Sequence, residues 1–312
     1  MDKKQLRIIY MGTPEFAVLP LQKLVENGYN IVAVITMSDK PSGRGHKMQQ
    51  SAVKQYALSV GLPVLQPEKL KNPEFLEQLR SYNADLQIVV AFRMLPEVVW
   101  AMPKYGTFNL HASLLPQYRG AAPINWAIIN GEKETGLTTF FLQQEIDTGD
   151  IIMQHKITIE PTDNAGTLHD KLMIEGAEMV IATTDMVINQ NITAIPQNQI
   201  ATEQLHTAPK IFKETCQINY DQTAEQIHNF VRGLSPYPAA WTEFQLNGHN
   251  INAKIFATEP IIEPHNLTIG TALTDNKTYI KIACKDGFIK LLNMQLPSKK
   301  PLNVRDVLNG LK

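Results

Sequence analysis

The chain has 312 residues and a formal net charge of −1, with 44% hydrophobic and 19% charged residues. At roughly 150 residues per domain that length suits two domains, each able to bury a core, and the ordinary apolar content excludes a disordered chain. No apolar run approaches the ~20 residues of a membrane span. The apolar run over residues 6–11 stops at Gly12, Thr13 and Pro14, too soon for a signal peptide, and two cysteines, Cys216 and Cys284, cannot build a disulfide scaffold. A soluble cytoplasmic protein with free thiols is expected.

Residues 6–11 read as a buried strand. Thr13 then offers an N-cap, Pro14 the first helical position and Glu15 a first-turn acid, for a helix that ends at Gly28. A strand over 31–36 follows, then a helix near 51–60, a short strand at 63–65, and a helix opened by Asn72 and Pro73. Strands over 86–91 and 106–110 continue the alternation. This succession predicts the α/β class, with a Rossmann-like, mostly parallel sheet and right-handed crossovers. A helix over 123–130, strands near 137–142 and 151–159, and a long helix from about 166 to 189 complete that half. Thr167 with Asp170 resembles a capping box there.

The pattern lapses over 195–215, where the linker is placed, giving domains of 1–206 and 207–312. Beyond it Thr223 and Gln226 box the start of a helix running to Arg232. Short strands over 241–246, 251–257, 279–283 and 288–295 predict a smaller β-barrel of OB type. Carboxylates exceed cations up to His206, and cations exceed carboxylates from Thr207 onward. Within the acidic part, residues 40–67 hold Lys40, Arg44, Lys47 and Lys54 and no carboxylate. Such a distribution suits a polyanionic partner, and it also suits a plain solvated surface.

Gly12, between a strand and a helix, invites a dinucleotide site. No second glycine follows closely, however, and Glu15 would repel a pyrophosphate at the helix start. The informative stretch is 106–152. Asn109 and His111 share one face of a strand, and Ser113, Leu114, Leu115 and Pro116 leave it where open α/β sheets bind ligands. Asp147 returns in a glycine-containing turn before another strand. An amide, an imidazole and a carboxylate at one strand edge make an acyl-transfer set: Asn donates to a carbonyl oxygen, His moves a proton, and Asp holds the His. Taken singly, Asp147 could cap its own turn, Asn109 could serve backbone groups, and His111 could be a bonded core residue.

Together these motifs resemble the folate-dependent formyltransferase family: N-L-H followed by S-L-L-P, then Arg119–Gly120 and D-T-G-D from Asp147 to Asp150. The segments RIIYMGTP (7–14), DKPSGRG (39–45), AAP (121–123), APK (208–210) and RGLSPYPAAW (232–241) extend the resemblance over essentially the full chain. They point to the members that formylate methionine on initiator tRNA. The resemblance implies transfer of a formyl group from 10-formyltetrahydrofolate, the one-carbon donor co-substrate, to the α-amine of methionyl-initiator tRNA. It implies that Asn109 and a protonated His111 stabilise the oxyanion, with Asp147 aligning His111. It implies a folate site lined by Ser113, Leu114, Leu115 and Pro116, a loop carrying Arg44 and Lys47 at the acceptor end of the tRNA, and a tRNA-contacting second domain.

A cytoplasmic monomer without a metal or a membrane contact is expected, since no histidine or cysteine shows zinc-ligand spacing. The pattern departs from the family at Ala91–Phe92–Arg93–Met94–Leu95–Pro96, where members commonly have a small residue and one more position. Three alternatives compete: a nucleotide-sugar or amino-ribonucleotide acceptor, a folate hydrolase, and an RNA-binding protein without catalysis. The basic glycine-containing loop and the long second domain favour tRNA, and Asn109, His111 and Asp147 together favour catalysis.

Overall fold

The structure, a computed structural model, describes residues 2–42, 47–200 and 204–310. In chain order its elements are β1 (Arg7–Gly12), α1 (Val18–Glu26), β2 (Asn30–Ile35), β3 (Lys40–Ser42), β4 (Lys47–Gln49), α2 (Ala52–Ser59), β5 (Val64–Leu65) and α3 (Pro73–Ser81). There follow β6 (Leu86–Val90), α4 (Glu97–Trp100), β7 (Thr107–His111), β8 (Arg119–Gly120), α5 (Pro123–Ile129), β9 (Glu134–Phe141), β10 (Ile151–Thr158) and α6 (Ala165–Asn189). The chain continues through β11 (Thr207–Ala208), α7 (Ala224–Leu234), β12 (Ala240–Leu246), β13 (His249–Ile262) and β14 (Ala272–Thr274). It ends with β15 (Ile280–Cys284), β16 (Gly287–Gln295), β17 (Leu302–Asn303) and α8 (Val304–Gly310).

Two compact units form. The first comprises Met1–Gly120, Gly136–Ile157 and His169–His206; the second comprises Ala121–Thr135, Thr158–Leu168 and Thr207–Lys312. The first is built on a seven-stranded sheet of order β10-β9-β7-β6-β1-β2-β5. β1, β2, β5, β6 and β7 pair in parallel, and β9 runs antiparallel to β7. Every residue of β6 is buried, as expected of a strand covered on both faces. Ile9, Met11, Ile35 and Val89 of the sheet pack with Phe75 and Leu79 of α3 and Val99 of α4. The strand order reverses between β1 and β6, and open α/β sheets bind ligands at the carboxyl ends of strands flanking such a reversal.

Gly12 ends β1 for a packing reason. A Cβ there would stand 2.6 Å from the Cβ of Ala17 and 3.0 Å from the carbonyl oxygen of Val90. The cap expected at Thr13 does not form: Glu15–Ala17 is a single 3-10 turn that buries Phe16 and Ala17, and the α-helix starts only at Val18. Asn72 caps α3 as expected, accepting from the Glu74 amide at 3.0 Å. On α6 the capping box lies three residues upstream of the expected one. Asn164 Oδ1 accepts from the Thr167 amide and Thr167 Oγ1 accepts from the Asn164 amide, each at 3.0 Å, so Thr167 is the third residue of the box and Asp170 has no part in it.

The second unit carries an antiparallel half-barrel of order β12-β13-β16-β15-β14, with β17 paired to β16. Ile227, Val231 and Leu234, spaced along one face of α7, close it against Phe244, Ile255, Ile282 and Ile289. The expected box holds here: Thr223 Oγ1 accepts from the Gln226 amide at 3.2 Å and Gln226 Oε1 from the Thr223 amide at 3.0 Å. α5 packs on α7, where a Cβ on Gly233 would meet Ile129 Cγ1 at 2.6 Å. Buried Arg232 donates to Asn229 Oδ1 at 2.8 Å and to the Asp163 carbonyl at 2.9 Å, and burial lowers its pKa.

The linker expected over 195–215 is corrected at its start. Ile195 and Ile151 exchange backbone hydrogen bonds of 2.8 Å, which tie residue 195 to β10 and leave no free connector there. Among the described residues no helix is long and apolar enough to cross a membrane.

Candidate active site

β7 sets the frame in the first unit. Its register places Asn109 opposite Phe140 of β9 and His111 opposite Thr138, so the two polar side chains fall on one face. His111 Nε2 lies 2.9 Å from the carbonyl oxygen of Tyr118. A carbonyl only accepts, so Nε2 carries a proton and Nδ1 is the nitrogen left to exchange one. Nδ1 faces Asp147 Oδ2 at 3.9 Å. Asn109 Oδ1 is buried with no hydrogen-bond partner, and so is Thr13 Oγ1 beyond the carboxyl end of β1. Two buried polar atoms of this kind, one on β7 and one just beyond β1, at the edge where open α/β sheets bind ligands, fit a site that takes a polar ligand such as a folate.

The segment after β7 is locked from beneath. Thr138 Oγ1 accepts from the Leu115 amide at 3.1 Å and donates to the Ser113 carbonyl at 2.7 Å. Gln154 Nε2 donates to the Leu115 carbonyl at 2.8 Å and to Thr138 Oγ1 at 3.0 Å. Ser113 Oγ donates to the Gln117 carbonyl at 2.6 Å. Of the four residues expected to line a folate site, Ser113, Leu115 and Pro116 are buried, and Leu115 packs on Phe140 and Ile151. Leu114 alone is half-buried, and it sits over Gly136, where a Cβ would come within 2.5 Å of Leu114 Cδ2.

Asp147 holds a left-handed backbone with φ of 55°, uncommon for a residue with a side chain. Its Oδ2 accepts from the Gly120 amide at 3.0 Å. The turn around it is clamped by Gln197, a residue that sequence analysis missed. Gln197 Nε2 donates to the carbonyls of Asp147 and Gly149 at 2.9 and 2.8 Å, and its Oε1 accepts from Arg119 Nε and Nη2 at 3.0 and 2.5 Å. The segment 118–120, the turn 147–149 and Gln197 therefore form one connected frame around His111.

The departure from the family pattern at 91–96 resolves into a tethered loop beside the strand-order reversal. Ala91 bends the chain with φ of 47°. Arg93 donates through Nη1 to the Glu68 carbonyl at 2.9 Å and through Nη2 to the Pro67 carbonyl, and its guanidinium lies 5.7 Å from the Phe92 ring centre. Burial pulls the Arg93 pKa down. Its two carbonyl bonds tie the loop after β6 to the loop after β5. Met94 projects outward, 71% exposed.

Asn109, His111 and Asp147 thus come together in the first unit, with the 113–116 segment adjacent in sequence to His111. Arg44 lies outside the described residues, and Lys47 enters only through its backbone in β4. Nearby, Asp39 accepts from Lys54 Nζ at 2.6 Å and from Gln66 Nε2 at 2.7 Å, which hold its carboxyl below the usual carboxylate range.

Residues 4–184 match the family described as formyl transferase, and residues 210–312 match its C-terminal domain. The chain is 59% identical to the methionyl-tRNA formyltransferase of Bacteroides thetaiotaomicron, over 100% of this chain and 98% of that one. It is 60% identical to the methionyl-tRNA formyltransferase of Parabacteroides distasonis, with the same coverage of both chains. The fold is similar to that of WlaRD, a sugar 3N-formyl transferase solved in the presence of dTDP and 5-N-formyl-THF. That similarity has a TM-score of 0.65 and 22% identity, over 95% of this chain and 99% of the other.

Proposed function

This chain belongs to the methionyl-tRNA formyltransferases of the formyl transferase family, and from that premise we propose how its own residues move a formyl group from 10-formyltetrahydrofolate to the α-amine of methionyl-initiator tRNA. One observation carries the assignment: β7 brings Asn109 and His111 to a single face, and the 147–149 turn brings Asp147 to 3.9 Å from His111.

Formyl-tetrahydrofolate, when bound, supplies a formyl carbon joined to a nitrogen leaving group. The attacking amine must be neutral, and a free α-amine, with a pKa near ~8, is partly so at neutral pH. Asn109 Oδ1, a buried acceptor without a protein partner, takes an N–H of that amine and aims its lone pair. As the formyl oxygen gains negative charge, the Asn109 amide and protonated Nδ1 of His111 donate to it. A positioned donor of this kind is typically worth ~3 kcal/mol of transition-state stabilisation. Asp147 steadies the imidazolium, and its carboxylate receives the proton that the amine loses and returns it to the folate nitrogen as the bond from that nitrogen to the formyl carbon breaks. Ser113, Leu115 and Pro116 shape the folate wall from within, and Leu114 presents its surface.

The same reading gives the loop of Arg44 and Lys47 to the acceptor end of the tRNA. It gives the second unit, with Lys254, Lys281 and Lys285 on or beside its strands, to tRNA phosphates. The same reading takes the protein as a cytoplasmic monomer. The test is transfer of labelled formyl from 10-formyltetrahydrofolate to methionyl-tRNA, with an amino sugar nucleotide and water as competing acceptors. Transfer to the tRNA alone is expected. Equal formate release without tRNA would point to a hydrolase instead.

A further inference from the structure

Gln197 lies outside the catalytic set and is 4% exposed, yet its amide is fully engaged: two N–H donors on the carbonyls of Asp147 and Gly149, and Oε1 on the Arg119 guanidinium. The turn it holds has an uncommon backbone at Asp147. Asp147 sits at φ of 55°, and a Cβ on Gly149 would fall 1.6 Å from the Phe141 carbonyl oxygen, so the turn is pressed against the end of β9 in a conformation that costs energy to keep. Arg119, which Gln197 also binds, precedes Gly120, whose amide holds the Asp147 carboxylate. Tyr118, one residue further back, accepts from His111 Nε2. Gln197 thus joins the strand-like segment that fixes the His111 ring to the turn that carries Asp147.

We infer that Gln197 is a positioning residue for formyl transfer, which acts through Asp147 by setting the carboxylate against Nδ1 of His111. The inference rests on the proposed roles of His111 and Asp147. Only the amide supplies both halves of the clamp. In Gln197→Glu the pairing with Arg119 survives, but two donors become acceptors facing the carbonyls of Asp147 and Gly149, and that repulsion pushes the turn outward.

The experiment measures kcat, KM and the pH profile of formyl transfer for Q197E, Q197A, D147N and the double variant D147N/Q197E, with H111A as control and thermal unfolding alongside. For Q197E the account expects kcat to fall by about 10-fold or more and KM for either substrate to change by less than about 3-fold, because a buried amide touches neither substrate. The pH profile of kcat should also move, because the charge facing His111 is displaced. In the D147N background, Q197E should alter kcat by less than about 2-fold, since a residue acting through Asp147 has nothing left to act on. Wild-type kcat in Q197E, effects of Q197E and D147N that multiply in full, or a Q197E protein that no longer folds would each overturn the inference. An H111A variant that retains wild-type turnover would instead remove the site assignment beneath it.

Discussion

His111 Nδ1 faces Asp147 Oδ2 across 3.9 Å, a charge-pairing distance that lies beyond a hydrogen bond. Tyr118 holds the opposite ring nitrogen, so the imidazole cannot turn its protonated Nε2 toward Asp147 without giving up a buried bond. The spacing suits the proposed roles, with the carboxylate stabilising charge on the ring and Nδ1 serving the reacting oxygen. Catalytic hydrogen bonds are often long without substrate and tighten when it binds.

Removing either member should therefore act on turnover more than on binding. His111→Ala and Asp147→Asn are each expected to lower kcat by about 100-fold or more, the usual cost of losing one positioned oxyanion donor or its support. Near-native unfolding curves would show that the loss is chemical.

Gly136 offers a test of the proposed folate wall. Alanine at this position would put a Cβ 2.2 Å from the His155 carbonyl and 2.5 Å from Leu114 Cδ2. The backbone contact cannot relax cheaply, so Gly136→Ala is expected to cost about 3 kcal/mol of stability, at the upper end for overpacking. Displacement of Leu114 should also raise KM for formyl-tetrahydrofolate more than KM for the tRNA. Denaturant unfolding and a two-substrate kinetic series check both parts.

Thr138 tests the support beneath the same wall. Thr138→Val keeps the shape but leaves the buried Leu115 amide without its acceptor. A stability loss of about 2 kcal/mol is expected. The effect on kcat should be smaller than that of His111→Ala, because the hydroxyl orders the loop and touches no reacting atom.

In the sequence Arg232 ends a helix and opens the 232–241 segment; in the structure it joins two parts of the second unit. Arg232→Met removes donors from the Asp163 carbonyl and from Asn229 in a buried setting. A loss of about 2 kcal/mol is expected, the cost of leaving buried acceptors without their donor. Thermal unfolding should report it while the residues proposed as catalytic in the first unit stay intact.

Some of this molecule was legible in its sequence. Asn109 and His111 stand two apart in a strand, so their shared face followed from strand geometry, and the caps at Asn72 and Thr223 follow from side-chain chemistry that acts locally. Gln197 was not legible. It sits in a stretch without periodicity, and what makes it matter is a buried amide meeting carbonyls 48 and 50 residues away in the chain. Tyr118 and Gly120 contribute backbone groups, which leave no mark on residue type. Thr13 looked like a cap because Ser, Thr, Asp and Asn commonly cap. The demand to bury Phe16 and Ala17 in a tight turn prevailed. The membership of α5 in the second unit is likewise a matter of tertiary packing, through Ile129 against Gly233.

For the loop proposed to meet the tRNA, Arg44→Ala should weaken use of methionyl-tRNA and flatten its salt dependence if the residue meets phosphate, since each lost phosphate contact releases fewer counterions. Folate affinity should stay unchanged. Transfer rates at several salt concentrations, with folate binding measured in parallel, decide the point.

The central claim is that Asn109, His111 and Asp147 act as one catalytic set for formyl transfer. Single-turnover transfer of labelled formyl from 10-formyltetrahydrofolate to methionyl-tRNA, with saturating enzyme, tests it most directly in wild type, in each single alanine variant and in the triple variant. Residues that work as a unit are strongly non-additive, so the triple variant should be slower than His111→Ala alone by less than about 10-fold. Three independent losses that multiply through to the triple variant, or a triple variant that still transfers formyl at the wild-type rate, would contradict it.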